Sequence, residues 1–293
     1  KLEIVGTVYD REAMVPLQYA SVVIDGTAIG VATNIDGDFS IKIPAEYQMN
    51  LIKISYIGYE SKYLSTKTWN SGHKIIYLNP LDVSIGEVSI KAKRKSAEEI
   101  IRKAIWSIPD NYDDNTSELN CFYREITSRG SEEISVIEAI VDVYKPPYSI
   151  VREDDQVRFI NIRSVGGKSA SGIGIEGGVY YRVRDDVIAN RPGFLERENL
   201  HYYNYKTSRT LGSGDEKIIV ISFQPDKTAI NRELADYLGR YNNVYDKTRL
   251  LFSGEVYIRE NDNAILKVNC WLEDSQMDYA EKKYLTNIPK GSM

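Results

Sequence analysis

The chain has 293 residues, long for one domain, and its 42% hydrophobic and 27% charged content excludes disorder and leaves material for two cores. A net charge of −5 with both signs interspersed argues against nucleic acid as a partner, and no run approaches the ~20 apolar residues of a membrane helix. Tyrosine outnumbers phenylalanine 22 to 6, which suits half-buried sheet faces where the ring packs and the hydroxyl stays wet.

Residues 1–92 read as short strands between turn signals. In order they are "EIVGTVYD", "ASVVIDG", "GVATN", "DFSIKIP", "LIKISYIGYESKYLS", "KIIYLNP" and "GEVSIKAK". Turns every ~8–12 residues without a helical period predict a β-sandwich. Within "ATNIDGDFSI" (32–41), Asn34, Asp36 and Asp38 alternate as in a calcium loop. An EF-hand loop wants Gly at its sixth position and Glu at its twelfth. Counted from Asn34 these are Phe39 and Ala45; counted from Asp36 they are Ile41 and Tyr47. Both registers fail, and Asp36-Gly37 between two β-runs is a hairpin signal. A tight turn is expected, with an irregular cation site as the alternative.

These residues carry a resemblance. "GTVYD", Pro16 with Ala20-Ser21-Val22, the Thr33–Phe39 turn and "SYIGYE" lie in the order found in the carboxypeptidase-regulatory-like domain, a transthyretin-like sandwich. The stretch resembling it spans 3–92 and is similar to the version found at the N-terminus of many outer-membrane and surface proteins of Bacteroidota. The resemblance implies an accessory module rather than a catalyst, and a periplasmic or cell-surface, outer-membrane-associated location. Peptidase chemistry is not expected, because a zinc site needs a His/Glu cluster. His73 is followed by Lys74-Ile75-Ile76 and His201 by Tyr202-Tyr203-Asn204, with no Glu at the required spacing.

"KAKRKS" (91–96) reads as a linker into a second domain over 97–288. Ser96 and Glu99 form the sequence signature of a capping box, and Ala97, Ile100, Ile101, Ala104, Ile105 and Ile108 make one apolar stripe. A helix over 97–108 is predicted, stopped by Pro109. Long strands follow at 118–127, 133–145 and 156–164, then "GVYYRVR", "LHYYNYKT" and "EKIIVISFQP". The last two strands, 249–260 and 263–274, flank a turn. In the first of them Leu250, Phe252, Val256 and Ile258 share a face; in the second Leu266, Val268, Cys270 and Leu272 do, which directs Cys270 to a core. Two buried free thiols at Cys121 and Cys270 are expected, with a disulfide as the alternative in an oxidising compartment. A second helix is predicted near 228–242. The fold class is therefore mainly β: a sandwich plus an α+β domain with a curved antiparallel sheet packed on one or two helices. "SGEVYIRENDNAILKVNCWL" resembles the closing hairpin of lipoprotein-carrier-like half-barrels. "AEEIIRKAIWSIPDNY" with "CFYREI" resembles a Bacteroidota family that joins the regulatory-like domain to such a region.

Catalytic constellations are not recognisable. Gly167-Lys168-Ser169 lacks the upstream glycine of a P-loop, which would sit at Ile162. No Gly-x-Ser-x-Gly elbow is present. The pairs Asp113-Asp114, Asp154-Asp155 and Asp185-Asp186 read as solvated turns, since sequence neighbours point apart. No cofactor, metal or catalytic residue is assigned. Tyr180, Tyr181, Tyr202, Tyr203 and Tyr205 are the candidate ligand-contacting surface. The expectation is a non-enzymatic binding or adapter protein for a glycan, a hydrophobic ligand or an envelope protein. A periplasmic carrier of a hydrophobic ligand and a hydrolase with an acidic site are the alternatives.

Overall fold

The computed structural model describes residues 2–69, 72–84, 96–129, 132–150, 155–166, 186–226 and 252–272. The predicted helix at 228–242, the glycine-rich stretch 167–185 with Tyr180 and Tyr181, and Leu250 lie outside these residues. The chain divides into two compact units, Lys1–Glu87 with Arg209–Ile219, and Val88–Ser208 with Val220–Met293. It is mainly β, as the sequence predicts.

The first unit runs β1 (Leu2–Asp10), β2 (Ser21–Ile24), β3 (Gly30–Ala32), β4 (Asp38–Ile43), β5 (Leu51–Ser55), β6 (Lys62–Ser65), β7 (Lys74–Leu78) and β8 (Val83–Ser84). One sheet has the order β4-β1-β7 and the other β3-β2-β5-β6. β1 pairs antiparallel with β4 and parallel with β7. Period-two patterning builds the core between them: Phe39, Ile41 and Ile43 of β4 are buried while Ser40 and Lys42 face out. Ile4, Val8, Val22, Ile24, Ile52 and Ile54 complete it from β1, β2 and β5. The short β8 pairs antiparallel with Thr210 and Leu211 of the same unit.

Hydrogen bonds to the backbone decide between the turn and the cation site in the acidic stretch. The Asn34 side-chain oxygen accepts from the amides of Asp36 (2.9 Å) and Asp38 (2.8 Å). Gly37 has φ +79°, and a Cβ there would lie 2.6 Å from the Val8 carbonyl oxygen. Only glycine meets both demands without strain. Asp38 accepts from the Thr7 hydroxyl. The Asn34 amide oxygen and one Asp38 carboxylate oxygen are thus committed to the fold, and the stretch is a turn.

The second unit begins with α1 (Ala97–Trp106) and α2 (Ile108–Asn111). The capping box forms as predicted: the Ser96 side chain accepts from the Glu99 amide (3.1 Å) and the Ser96 amide donates to Glu99 (2.8 Å). α1 ends two residues earlier than the apolar stripe suggests. Pro109 sits in the first turn of α2, where its missing N–H costs nothing, so it starts a new helical turn as well as ending the old one. Ile101, Ala104, Ile105 and Ile108 are buried. Asn111 Nδ2 donates to the Asp262 carbonyl (2.9 Å) and the Tyr112 hydroxyl to the Ile265 carbonyl, tying the helical segment to the closing hairpin.

β9 (Ser117–Arg129), β10 (Glu132–Lys145) and β11 (Gln156–Gly166) form an antiparallel sheet of order β11-β10-β9. α3 (Val187–Asn190) and two 3₁₀ segments (Gly193–Leu195, Arg197–Tyr202) lead into β12 (Tyr203–Leu211). β13 (Ile218–Pro225), β14 (Phe252–Arg259) and β15 (Ile265–Leu272) follow as consecutive neighbours. β12 starts later than the alternation of "LHYYNYKT" suggests, because Leu200–Tyr202 belong to the 3₁₀ turn.

Both cysteines are free, and the expectation of two buried thiols is corrected: Cys121 is half-buried and Cys270 exposed. β15 is the end strand of its sheet, and its Leu266 and Val268 are only half-buried, so the apolar face carries no deep core at Cys270.

Candidate functional site

Among the candidate tyrosines, the described ones fall into an aromatic interior. Tyr203 and Tyr205 lie two apart on β12 and share a face, with ring centroids 6.2 Å apart. Phe194, wholly buried, stacks on Phe223 at 4.1 Å and meets Tyr203 (6.3 Å) and Phe252 (6.4 Å) edge-on. Gly254 admits this cluster, since a Cβ there would approach the Phe223 ring to 2.8 Å. Tyr203 is buried, and the Tyr205 hydroxyl donates to the Phe194 carbonyl (2.8 Å). Burial first, then the neighbouring Tyr203, pushes the Tyr205 hydroxyl well above its ordinary pKa. Tyr202 is half-buried against His201, ring centroids 3.9 Å apart. The structure thus packs Tyr203 and Tyr205 among phenylalanines and sets Tyr202 beside them on the preceding turn. Phe194, the centre of the cluster, carries no sequence signal beyond the Pro192-Gly193 turn before it.

A buried ionic cluster is the second constellation. Lys145, at the end of β10, places its ammonium 2.6 Å from Asp186 and 3.5 Å from Asp155. The other Asp186 oxygen caps α3, accepting from the amides of Ile188 (2.9 Å) and Ala189 (3.2 Å). The Tyr148 hydroxyl donates to Asp186 (2.8 Å), and Tyr148 packs on Tyr112 at 5.3 Å. Burial and neighbouring negative charge push the Tyr112 hydroxyl up to about 12. Burial alone would raise Asp186, but Lys145, Tyr148 and the Ile188 amide outweigh it and hold the carboxyl below its ordinary value. Burial alone would lower Lys145, but Asp186 outweighs it and holds the amine above its ordinary value. Reading Asp113 as a turn holds, since it accepts from the Asn115 amide (2.9 Å) and the Ser117 hydroxyl (2.9 Å). That reading fails for Asp155 and Asp186, which leave their turns to meet a lysine from another strand. These contacts tie the end of β10 to the residue before β11 and to the cap of α3, which makes the cluster a structural lock.

The third feature is the β9–β10–β11 sheet. One face buries Ala139, Val141 and Val143 with Cys121, Tyr123 and Val157 beside them. The opposite face carries a ladder of charges in register. Glu138 faces Arg124 of β9 and Arg163 of β11, accepting from Arg124 at 2.5–2.9 Å and from both nitrogens of Arg163. Asp142 accepts from Asn120 (2.8 Å) and from Arg158 at 2.5–3.1 Å. Hydrogen bonds from these arginines hold both carboxyls below their ordinary values. Between the two charged rows lie Ile140 and Phe122, 42% and 65% exposed. On the other face, opposite Val143, Val141 and Ala139, Leu119, Phe159 and Ile162 are exposed at its outer strands. The sequence signal for this ladder is Glu138 and Asp142, four apart in the otherwise apolar run Val136–Val143, with arginines in the strands on either side.

His73 serves the scaffold. His73 Nε2 lies 2.6 Å from the Thr7 hydroxyl, which itself donates to Asp38 in the sandwich. Among the described residues no group of three or more His, Cys, Asp or Glu side chains is placed to hold a metal ion, and no helix is long and apolar enough to cross a membrane.

The sandwich topology and its glycine turn define the class of the first unit. Residues 4–90 match the family model of the CarboxypepD_reg-like domain, which bears out the resemblance for that domain. No curated protein matches the chain.

Proposed function

We propose that the chain is a non-enzymatic binding or adapter protein of the bacterial cell envelope, in which the regulatory-like sandwich is a rigid module and the second unit docks a partner protein. The observation that carries this reading is the composition of the open β9–β10–β11 face. Its ionisable groups are consumed by one another, Glu138 by Arg124 and Arg163 and Asp142 by Asn120 and Arg158, while Phe122 and Ile140 between them stay in water. Exposed apolar area among paired charges is the signature of an interaction surface rather than of a reacting site. The regulatory-like match supports an envelope setting, as does the resemblance to Bacteroidota surface proteins. Cross-linking in intact cells of a producing bacterium, with the chain as bait, tests the reading. Phe122→Glu with Ile140→Glu is expected to abolish recovery of envelope proteins while the protein stays folded by circular dichroism. Unchanged recovery overturns the docking role of this sheet, and fractionation with the cytoplasm overturns the envelope setting.

A further inference from the structure

We propose that Arg191, Arg197 and Trp106 form an anion site on the second unit, one that takes a phosphate or sulfate group. Elsewhere in this unit arginines are neutralised: Arg102 pairs with Glu98, Arg124 and Arg163 with Glu138, Arg158 with Asp142 and Arg259 with Asp262. Arg191 and Arg197 differ, since among the described residues neither meets a carboxylate. Arg191 follows α3 in the left-handed conformation, φ +38°, which disfavours any residue with a Cβ. Its half-buried side chain is held there by two carbonyls: Nη2 donates to Tyr148 (3.1 Å) and Nε to Ile188 (3.4 Å). A guanidinium has five N–H donors, so these two bonds leave Arg191 with donors to spare. Burial first, then the charge of Arg197, holds Arg191 below its ordinary pKa. The charge that acts on Arg191 is thus a second cation.

Arg197 opens the second 3₁₀ segment, and its guanidinium lies over the Trp106 ring, 5.6 Å from the centroid. The ring attracts the cation without consuming an N–H, so Arg197 is positioned while its donor fork stays available. Trp106 ends α1 outside the buried stripe of Ile101, Ala104 and Ile105, and at 54% exposure it keeps the site open to water. Two guanidinium groups close enough to repel are stabilised by an anion shared between them. Guanidinium matches phosphate and sulfate oxygens through paired N–H···O bonds, and two unmatched positive charges balance a dianion. A single carboxylate would leave one arginine uncompensated. The tetrahedral oxyanion is common to a free ion, a lipid headgroup and a substituted saccharide. The site lies on α1 and the 3₁₀ segment, away from Phe122 and Ile140, so it stands or falls independently of the docking sheet.

The test uses the full chain at constant ionic strength, with chloride as the balancing anion. Titration with inorganic phosphate and with sulfate is expected to change tryptophan fluorescence saturably and to raise the melting temperature. Trp106→Phe, which keeps a ring under Arg197, is expected to abolish the fluorescence change and retain the thermal shift. Arg191→Gln and Arg197→Gln are each expected to weaken binding about tenfold or more. Arg197 is exposed, so its variant keeps the proposal testable should Arg191→Gln fail to fold. Phe122→Glu with Ile140→Glu is expected to leave anion binding unchanged. Sedimentation with phosphatidylcholine vesicles containing phosphatidic acid, lost in Arg197→Gln, would support the site and identify a headgroup as the source. Tighter binding of a sulfated oligosaccharide than of sulfate, lost in the same variant, would support it with a saccharide as the source. The absence of a saturable response to either inorganic anion overturns the proposal, and so does a response that Arg197→Gln leaves intact.

Discussion

Replacing Phe194 by alanine tests whether the aromatic cluster organises the second unit. Phe194 is fully buried, stacked on Phe223 at 4.1 Å and edge-on to Tyr203 and Phe252. Burial of a phenylalanine side chain contributes about 1.5–3 kcal/mol. Each well-formed aromatic pair adds about 0.5–1.5 kcal/mol, and truncation leaves a cavity as well. Neighbouring rings recover part of that loss by collapsing, so the expected cost is about 4 kcal/mol, inside the ~3–5 kcal/mol range for such truncations. Since ~1.4 kcal/mol is a factor of ten, exchange of the most protected amides of β12–β14 should accelerate by about a thousandfold. Hydrogen exchange read by mass spectrometry over 203–208, 220–225 and 252–259 measures this, with β2 and β5 of the first unit as the internal standard. Phe194→Leu, which keeps most of the volume, should cost about 1.5 kcal/mol or less. Acceleration by less than tenfold in Phe194→Ala would refute the reasoning, because it would mean the cluster closes over the deletion or holds little of the sheet.

Gly37→Ala should destabilise the first unit by about 2 kcal/mol, because the residue has φ +79° and its new methyl meets the Val8 carbonyl. Added calcium should leave the melting temperature unchanged, and a calcium-dependent rise would show that the Asn34 and Asp38 oxygens bind a cation. Ser96→Ala removes the α1 cap and should cost about 1 kcal/mol in urea unfolding, with no loss of secondary structure elsewhere. Lys145→Met strands Asp155 and Asp186 and should cost about 3 kcal/mol at neutral pH. That cost should shrink on acidification as the released carboxyls take up protons; a pH-independent cost would refute the lock. In the unaltered chain the Asp186 contribution is present above the unfolded carboxyl value of about 3.9 and is lost as pH falls through the lower folded value. The Lys145 contribution has the opposite sense: present below the unfolded amine value of about 10.4, lost as pH rises through the higher folded value. A stability plateau between about pH 5 and 10, read by denaturant titration, checks both signs.

Local chemistry was legible where a residue acts on its own neighbours. Asp36-Gly37 specified a turn because positive φ and side-chain capping are properties of four consecutive residues. Ser96 and Glu99 specified a helix start for the same reason. Alternation in β4 read correctly because both sheets of the sandwich supply a cover for the inward side. The identical pattern in β15 misled, since period two says that residues share a face but not that anything lies over it, and Cys270 stands at a sheet's end. Asp155 and Asp186 were unreadable as partners because Lys145, the strand β11 and the cap of α3 meet only through tertiary folding. The tyrosine pattern carried spacing without orientation: Tyr203 and Tyr205 do share a face, and that face is packed with phenylalanine.

The pairing of β8 with Thr210 and Leu211 has a consequence for how the chain is made and cut. A ribosome delivers every sandwich strand up to β7 early, yet the mate of β8 emerges only after the whole of β9, β10 and β11. The first unit is therefore finished late, by the end of a strand of much later sequence. A fragment trimmed to the boundaries of the family match would lack that strand end and should fray at Val83 and Ser84.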